Sequence, residues 1–228
     1  MCAICGWLNS KEKLNEKQET FKEMLELMSC RGKDNTGYHF EENIMLGHKR
    51  LAIVDLETGN QPMYSKEYVI IYNGELYNTQ EIKEELIKKG YTFETTSDTE
   101  VILKGYIEYK EKILDKMEGI FAFAVYNKET KELFLAIDRF GIKPLYYCQR
   151  ENNFVFASML RAILKSEIVK PRLSKKALGE ILALGPSKKL GSGIFTGINE
   201  LRAAHYMKVK NGEITIKRYL NVETKECT

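Results

Sequence analysis

Apolar residues recur along this chain with two different periods, and the alternation between them lays out its elements. Residues 3–8, AICGWL, are continuously apolar, the pattern of a buried strand. Residues 15–28 place Phe21, Met24, Leu25 and Met28 at three- and four-residue spacing, the stripe of an amphipathic helix. The loop CRGKDNTG follows, punctuated by Gly32 and Gly37, and then two short strands over residues 37–40 and 44–48. LAIVDL continues that pattern through Leu51, Ile53 and Val54, and TGNQPM closes it as a turn. Residues 68–72 form an apolar strand that ends at Asn73-Gly74, a turn signal. TQEIKEELIKK carries Ile82 and Leu86 on one face and stops at Gly90. SDTE, residues 97–100, reads as a capping box that opens a helix through Val101, Leu103, Tyr106 and Ile107.

The second half is richer in strands. FAFAVYN and ELFLAID are joined by the polar turn KETK, as in a hairpin. In the second of them Phe134 and Ala136 face one way, and Leu133, Leu135 and Ile137 the other. A strand apolar on both faces lies between two layers. LYYCQ and NFVFAS make another hairpin, residues 160–165 and 174–184 two more helices, and MKVKNGEITI a hairpin on Asn211-Gly212. Short turns make the strands mostly antiparallel, and helices inserted in pairs cover them. The expected fold is α+β: a four-layer αββα sandwich of two mostly antiparallel sheets. One domain over residues 2–228, with an exposed loop at 185–197, is the simplest organisation.

Composition narrows the partners. The chain of 228 residues is 43% hydrophobic, enough for a large core. Its 35 basic and 32 acidic residues are interspersed and leave a net charge of +3. With no basic block, nothing points to nucleic acid or an anionic membrane. No apolar run reaches the ~20 residues of a membrane span. Five cysteines without a signal-peptide pattern read as reduced thiols of a cytoplasmic protein.

Candidate chemistry begins at Cys2. A small second residue favours removal of Met1, so the mature chain is expected to start at Cys2. A terminal cysteine carries its own base, because its α-amine has a reference pKa of about 7.7–8.0. That amine can take the thiol proton and later return one to a leaving amine. The three histidines, His39, His48 and His205, lie in no Cys/His motif. A chain start can also be merely structural. Cys2 and Cys5 spell CxxC, a redox pair or half a zinc site, but Cys30, Cys148 and Cys227 are isolated and no second ligand pair exists.

Further candidates sit beside turns. Arg50 suits a carboxylate. The Asn73 amide and Gly74 N–H together suit an oxyanion. Glu75 and Asp98 are acids nearby, and DRFGIKPLYY offers Asp138, Arg139 and Lys143. Each has a structural alternative. Arg50 could be a surface ion pair, Asn73-Gly74 an ordinary turn, Asp98 a complement to a helix dipole, and Asp138 with Arg139 a structural pair.

In chain order, MCAICG, RGKDNTG, GHKRLAIVDLETGNQPM, YNGELYN, SDTEVIL, MEGIFAFAVYN and DRFGIKPLYY resemble the N-terminal glutaminase domain of glutamine-hydrolysing asparagine synthetases. That domain is a class II glutamine amidotransferase of the N-terminal-nucleophile hydrolase type. The resemblance covers residues 2–160 well and 198–219 loosely, and LAIVDLETGNQPM is its most specific motif. It implies the same four-layer sandwich. It implies that Cys2 attacks the side-chain amide of glutamine, with Asn73 and the Gly74 N–H holding the oxyanion. Arg50 would grip the substrate α-carboxylate, and Glu75 and Asp98 its α-ammonium.

The resemblance also implies no cofactor and no metal in this chain, since ATP and magnesium belong to a synthetase domain. The nearest match to that domain's phosphate loop is GSGIFTG, residues 191–197, which lacks the Asp-Ser pair. The chain is thus expected to be a separated glutaminase subunit or a truncated product. Its expected partners are glutamine and an ammonia-accepting synthetase domain or subunit, with a homodimer left open. Four positions depart from the family: Ala3 for glycine, RGKDN for RGPDD, Met159 for an acid in FASE, and LRAAH for LPPGH at 201–205. They suggest a second reading, a degenerate domain that docks without catalysis. The intact set of Cys2, Arg50, Asn73, Gly74, Glu75 and Asp98 favours catalysis.

Overall fold

A computed structural model describes residues 1–228 apart from 53, 54, 56, 185–193 and 222–228. The chain opens with β1 (Ala3–Asn9), α1 (Gln18–Glu26), β2 (Asn35–Phe40), β3 (Ile44–Arg50), β4 (Met63–Ser65) and β5 (Tyr68–Leu76). Helices α2 (Thr79–Lys88), α3 (Asp98–Tyr109) and α4 (Ile113–Lys116) follow, then β6 (Gly119–Asn127), β7 (Glu132–Ile137), β8 (Tyr146–Arg150) and β9 (Asn153–Ala157). Next come α5 (Leu160–Lys165), α6 (Lys175–Leu184), β10 (Asn199–Glu200), β11 (His205–Lys210) and β12 (Glu213–Arg218).

These strands form two sheets, ordered β10-β8-β9-β1-β3-β2 and β12-β11-β7-β6-β5-β4. Every described pairing is antiparallel. Three apolar cores separate four layers, as the patterning predicts. Between the sheets, Ile4, Leu8 and Leu46 of one meet Ile71, Ala124 and Leu135 of the other. Outside the first sheet, Phe21, Met24 and Leu25 of α1 and Ile163 of α5 cover Cys5, Trp7 and Met45. Outside the second, Ile82 and Leu86 of α2 and Val101, Leu103 and Tyr106 of α3 cover Ile70, Tyr72 and Phe123. Strand β7 divides as its sequence does: Phe134 and Ala136 enter the helix-facing core, while Leu133, Leu135 and Ile137 enter the inter-sheet core.

Several local expectations change in the folded chain. Asn73-Gly74 is not a turn. It lies inside β5, where Asn73 pairs with Ala122 and Gly74 with Phe121 of β6. Glycine is required there by close approach, since a Cβ on Gly74 would stand 2.3 Å from the Ile120 carbonyl oxygen. Leu51 does not extend the preceding strand and is exposed, while Ile53 and Val54 lie outside the described residues. The proposed loop at 185–197 is described only from Ile194 onward. Ser97 does cap α3, accepting the Thr99 N–H at 3.2 Å. The reciprocal half of the capping box is absent: the Glu100 carboxylate accepts instead from the Glu94 and Thr95 N–H groups and pairs with Lys104.

Asp138 and Arg139 are not an ion pair either. Asp138 is fully buried and spends its carboxylate on the N–H groups of Phe121, Phe140, Ile142 and Lys143. Arg139 reaches the Asp115 carbonyl at 3.3 Å. Two departures from the resembled family are accommodated. Ala3 is fully buried against α1 and pairs with Lys49 of β3. Ala204, where the family has glycine, takes φ 58°, a left-handed conformation that an L-residue adopts at some cost.

One titratable group bridges the sheets. His48 on β3 is fully buried, and its Nε2 donates to the Tyr72 carbonyl of β5 at 3.1 Å. Its Nδ1 has no partner. Burial pulls its pKa from 6.5 to about 3. The unfolded chain therefore binds this proton first, and stability falls with pH below 6.5 until about 3. We expect this residue alone to lower the unfolding free energy by about 1.4 kcal/mol per pH unit in that window. Denaturant titrations between pH 7 and 4 should show the slope, and His48→Gln should flatten it.

Candidate active site

The site grows from an open sheet edge. Strand β4 pairs with β5 only at Tyr68, Val69 and Ile70, whereas β5 runs on to Leu76. Past Ile70 the edge has no strand neighbour among the described residues, so alternate N–H groups point outward. The Tyr72 N–H is taken by the Gln61 side-chain oxygen at 2.6 Å. The Leu76 N–H is taken by Asp98 Oδ2 at 3.2 Å. By the two-residue alternation, the Gly74 N–H points to the same edge between them. Asn73 is buried, and its amide nitrogen Nδ2 has no hydrogen-bond partner among the described residues. Two donors thus sit side by side, one of them demonstrably unspent.

Strand β1 brings Cys2 to this edge from the other sheet. Pairing of Ala3 with Lys49 anchors the start of β1 beside the end of β3. Cys2 Sγ accepts the Leu51 N–H at 3.4 Å, and the Cys2 carbonyl accepts from Arg31 Nε at 3.1 Å. Cys5 is three residues on, so it faces the opposite side of the strand, in the α1-facing core. Its burial pushes the thiol pKa far up. That geometry removes the CxxC reading, and among the described residues no cluster of three or more His, Cys, Asp or Glu side chains could hold a metal.

Arg50, at the end of β3, is buried rather than a surface ion pair. Its guanidinium donates to Asn60 Oδ1 at 2.8 Å and to the Asp55 carbonyl. Gly59 must lack a side chain here, because a Cβ would lie 2.8 Å from the Asp55 backbone carbonyl oxygen. Asp55 takes φ 50° in this loop and staples it to the segment just before α3. One carboxylate oxygen takes the Thr58 N–H at 2.8 Å, and the other takes the Thr96 N–H and hydroxyl at 2.9 Å each. Desolvation pushes the Asp55 pKa up, but the hydrogen bonds from Thr58 and Thr96 outweigh it and leave it at about 2.

Asp98 is the first residue of α3 and accepts the Tyr72 hydroxyl at 2.8 Å. Burial raises its pKa, opposed by the hydrogen bonds from Tyr72 and Leu76. Glu75 stands exposed at the mouth. All six sequence candidates, Cys2, Arg50, Asn73, Gly74, Glu75 and Asp98, line one cavity of about 120 Å³. Lys143 and Met1 line it too. Positive charge gathers around Arg50 and Lys143, and negative charge around Glu75 and Asp98, which suits a zwitterion.

Sequence reasoning missed three supports. Gln61, read as part of a turn, is a buried polar bridge: its Nε2 also reaches Thr99 at 3.2 Å. Asp55 and Arg31 were passed over within their loops. Asp55 has a local partner in Thr58, but its tie to Thr96 spans 41 residues and that of Arg31 to Cys2 spans 29, and no local signal marks those two.

Two facing antiparallel sheets covered by helices, with a cysteine at a strand start beside paired amide donors, define an amidotransferase-type sandwich. The chain belongs to the glutamine amidotransferase domain family, whose model matches residues 1–220. It is 45% identical to asparagine synthetase [glutamine-hydrolyzing] 3 of Bacillus subtilis, over 100% of this chain and 38% of that protein. It is 38% identical to asparagine synthetase B [glutamine-hydrolyzing] of Escherichia coli, over 72% of this chain and 30% of that protein. The chain therefore spans well under half the length of these relatives. In fold it is similar to the glutamine phosphoribosylpyrophosphate amidotransferase of B. subtilis, solved with ADP and GMP, at a TM-score of 0.70 over 96% of this chain and 49% of that one. The 18% identity there speaks for the fold alone.

Replacing Asp55 with alanine should release the loop without touching the sheets. We expect the Thr58 and Thr96 amides to exchange hydrogen at least about tenfold faster, each having lost a hydrogen bond to a charged group. Amides of β6 and β7 should keep their protection, as hydrogen-exchange measurements would show.

Proposed function

We propose that this chain hydrolyses glutamine to glutamate and ammonia through a thioester on Cys2, and that the ammonia supplies a synthetase domain or subunit of the asparagine synthetase type. The observation that carries this reading is the buried Asn73 Nδ2, without a protein partner in the cavity that holds Cys2. A buried donor left unpaired costs about 1–3 kcal/mol, and an oxyanion would satisfy it. With Met1 removed, the Cys2 α-amine accepts the thiol proton. Sγ then bonds to the side-chain amide carbon, and the carbonyl electron pair moves onto oxygen between Asn73 Nδ2 and the Gly74 N–H. As the tetrahedral intermediate collapses, the amine returns its proton to the leaving nitrogen and ammonia departs. Water adds to the thioester with the amine again taking a proton, and glutamate leaves Sγ.

Arg50 pairs with the substrate α-carboxylate, and Glu75 and Asp98 with its α-ammonium. Gripping both ends sets the side-chain amide at Sγ, a positioning effect. No cofactor or metal enters these steps. ATP and magnesium would serve activation of an acceptor carboxylate outside this chain. The greater length of the relatives named as asparagine synthetases supports a synthetase partner, and reduced thiols suit the cytoplasm.

The test starts from untagged chain whose N-terminal residue is checked by mass spectrometry. It should form glutamate and ammonia in equal amounts, and Cys2→Ala should abolish both with its fold intact. Asn73→Ala should lower kcat by about 10²- to 10³-fold with little change in KM. An inactive chain with a free Cys2 terminus, or an Asn73→Ala variant of normal kcat, would overturn the proposal.

A further inference from the structure

Lys143 is a buried cation that the hydrolytic scheme does not use. Its backbone is fixed by the Asp138 carboxylate, which accepts the Lys143 N–H at 3.1 Å and has its remaining bonds on other backbone groups. The side chain is 7% exposed and lines the cavity. Among the described residues the polar contact of its Nζ is the Met1 thioether sulfur, at 3.1 Å. Arg31 Nη2 approaches the same sulfur at 3.9 Å. No carboxylate of the described residues lies within ion-pair distance of the Lys143 ammonium. Burying an ammonium without a counter-charge is costly, so its place beside the chain start calls for a use.

Removal of Met1, on which the proposed function rests, deletes that contact and creates the Cys2 α-amine in the same space. The Met1 sulfur is five bonds from the Cys2 nitrogen, which puts Lys143 Nζ within about 9 Å of the new amine. We propose that Lys143 is a positioning residue that acts through the α-amine, holding it neutral so that it can accept the thiol proton. The physical cause is repulsion of like charges, which disfavours the protonated amine. In water an amine of pKa about 7.7–8.0 is mostly protonated at pH 7, so only a minor fraction is able to accept a proton. Arg31, bonded to the Cys2 carbonyl, adds to the repulsion.

Other charged groups around the amine are already engaged or stand at the far end. Arg50 is held by Asn60 and Asp55, and the Asp34 carboxylate takes the Ala52 N–H at 2.7 Å. Asp98 is held by Tyr72 and Leu76, and Glu75 stands at the mouth. The Cys2 thiol itself, Tyr146 and Cys30 complete the surroundings through Arg31.

The test titrates the α-amine of isotope-labelled Cys2 by NMR in the full chain, with removal of Met1 verified by mass spectrometry. We expect an apparent pKa of about 7 or below in the unaltered protein. It should rise by about one unit in Lys143→Met and stay near its original value in Lys143→Arg. The acid limb of kcat/KM for glutamine should move with it, lowering activity severalfold at pH 6 and hardly at all at pH 9. An amine titrating at about 8 or above in the unaltered protein overturns the inference, whether or not the variants fold. So does a folded Lys143→Met whose amine titration stays in place, even if KM changes. The amine reading needs no turnover, so an inactive protein would sink the proposed hydrolysis while leaving the role of Lys143 decided by its own measurement.

Discussion

Strand β4 stops three residues into β5, and the site is what occupies the edge that this leaves bare. A bare edge is a row of backbone groups that must be paired, hydrated or used. Gln61 takes one N–H and Asp98 another, each arriving from a separate segment of the chain. Gln61 carries with it the loop that holds Arg50, and Asp98 carries the start of α3. Satisfying the edge thus gathers Arg50 and Asp98 around the Asn73 and Gly74 donors. A longer β4 would pair that edge and take up the Gly74 N–H, leaving Asn73 Nδ2 as a lone donor.

Cys2 comes from the opposite sheet, so its distance from those donors depends on how the two sheets pack. Ile4 of β1 and Ile71 of β5 share one core, close to the start of β1 and to Asn73 respectively. His48 adds a directional tie between β3 and the Tyr72 carbonyl, one residue before Asn73. Close-packed interiors transmit displacement, so slippage between the sheets would move Cys2 relative to the donors. The inter-sheet core is in this sense part of the reaction geometry. A buried, neutral histidine makes that tie sensitive to acid.

Charge is segregated inside a small space. Arg31, Arg50 and Lys143 lie near the chain start and the loop, and Glu75 and Asp98 lie toward α3. In the proposed reaction, the division that would orient a zwitterion would also surround the Cys2 amine with cations, so binding and base strength would draw on one arrangement of charges. Asp55 and Gly59 keep that arrangement fixed, the first by accepting from four donor groups of Thr58 and Thr96 and the second by having no side chain.

By itself the sequence determined the elements, the layers and the six residues that meet in the cavity. Periods of two and 3.6 are local properties, and a β7 apolar on both faces already requires a layer on each side of it. The family motifs are local too, because Asn73, Gly74 and Glu75 are neighbours on one strand. Only the tertiary structure decided what Asn73-Gly74 is. An Asn-Gly pair favours a turn in isolation, but nine residues of pairing with β6 hold it extended, and its glycine answers to a carbonyl across the sheet. It also decided the distant contacts of Gln61, Asp55, Arg31 and Lys143, each with a partner between 11 and 142 residues away. Such roles arise when a buried polar group must find a distant partner, or be left facing a cavity without one, and no local pattern of residues encodes that.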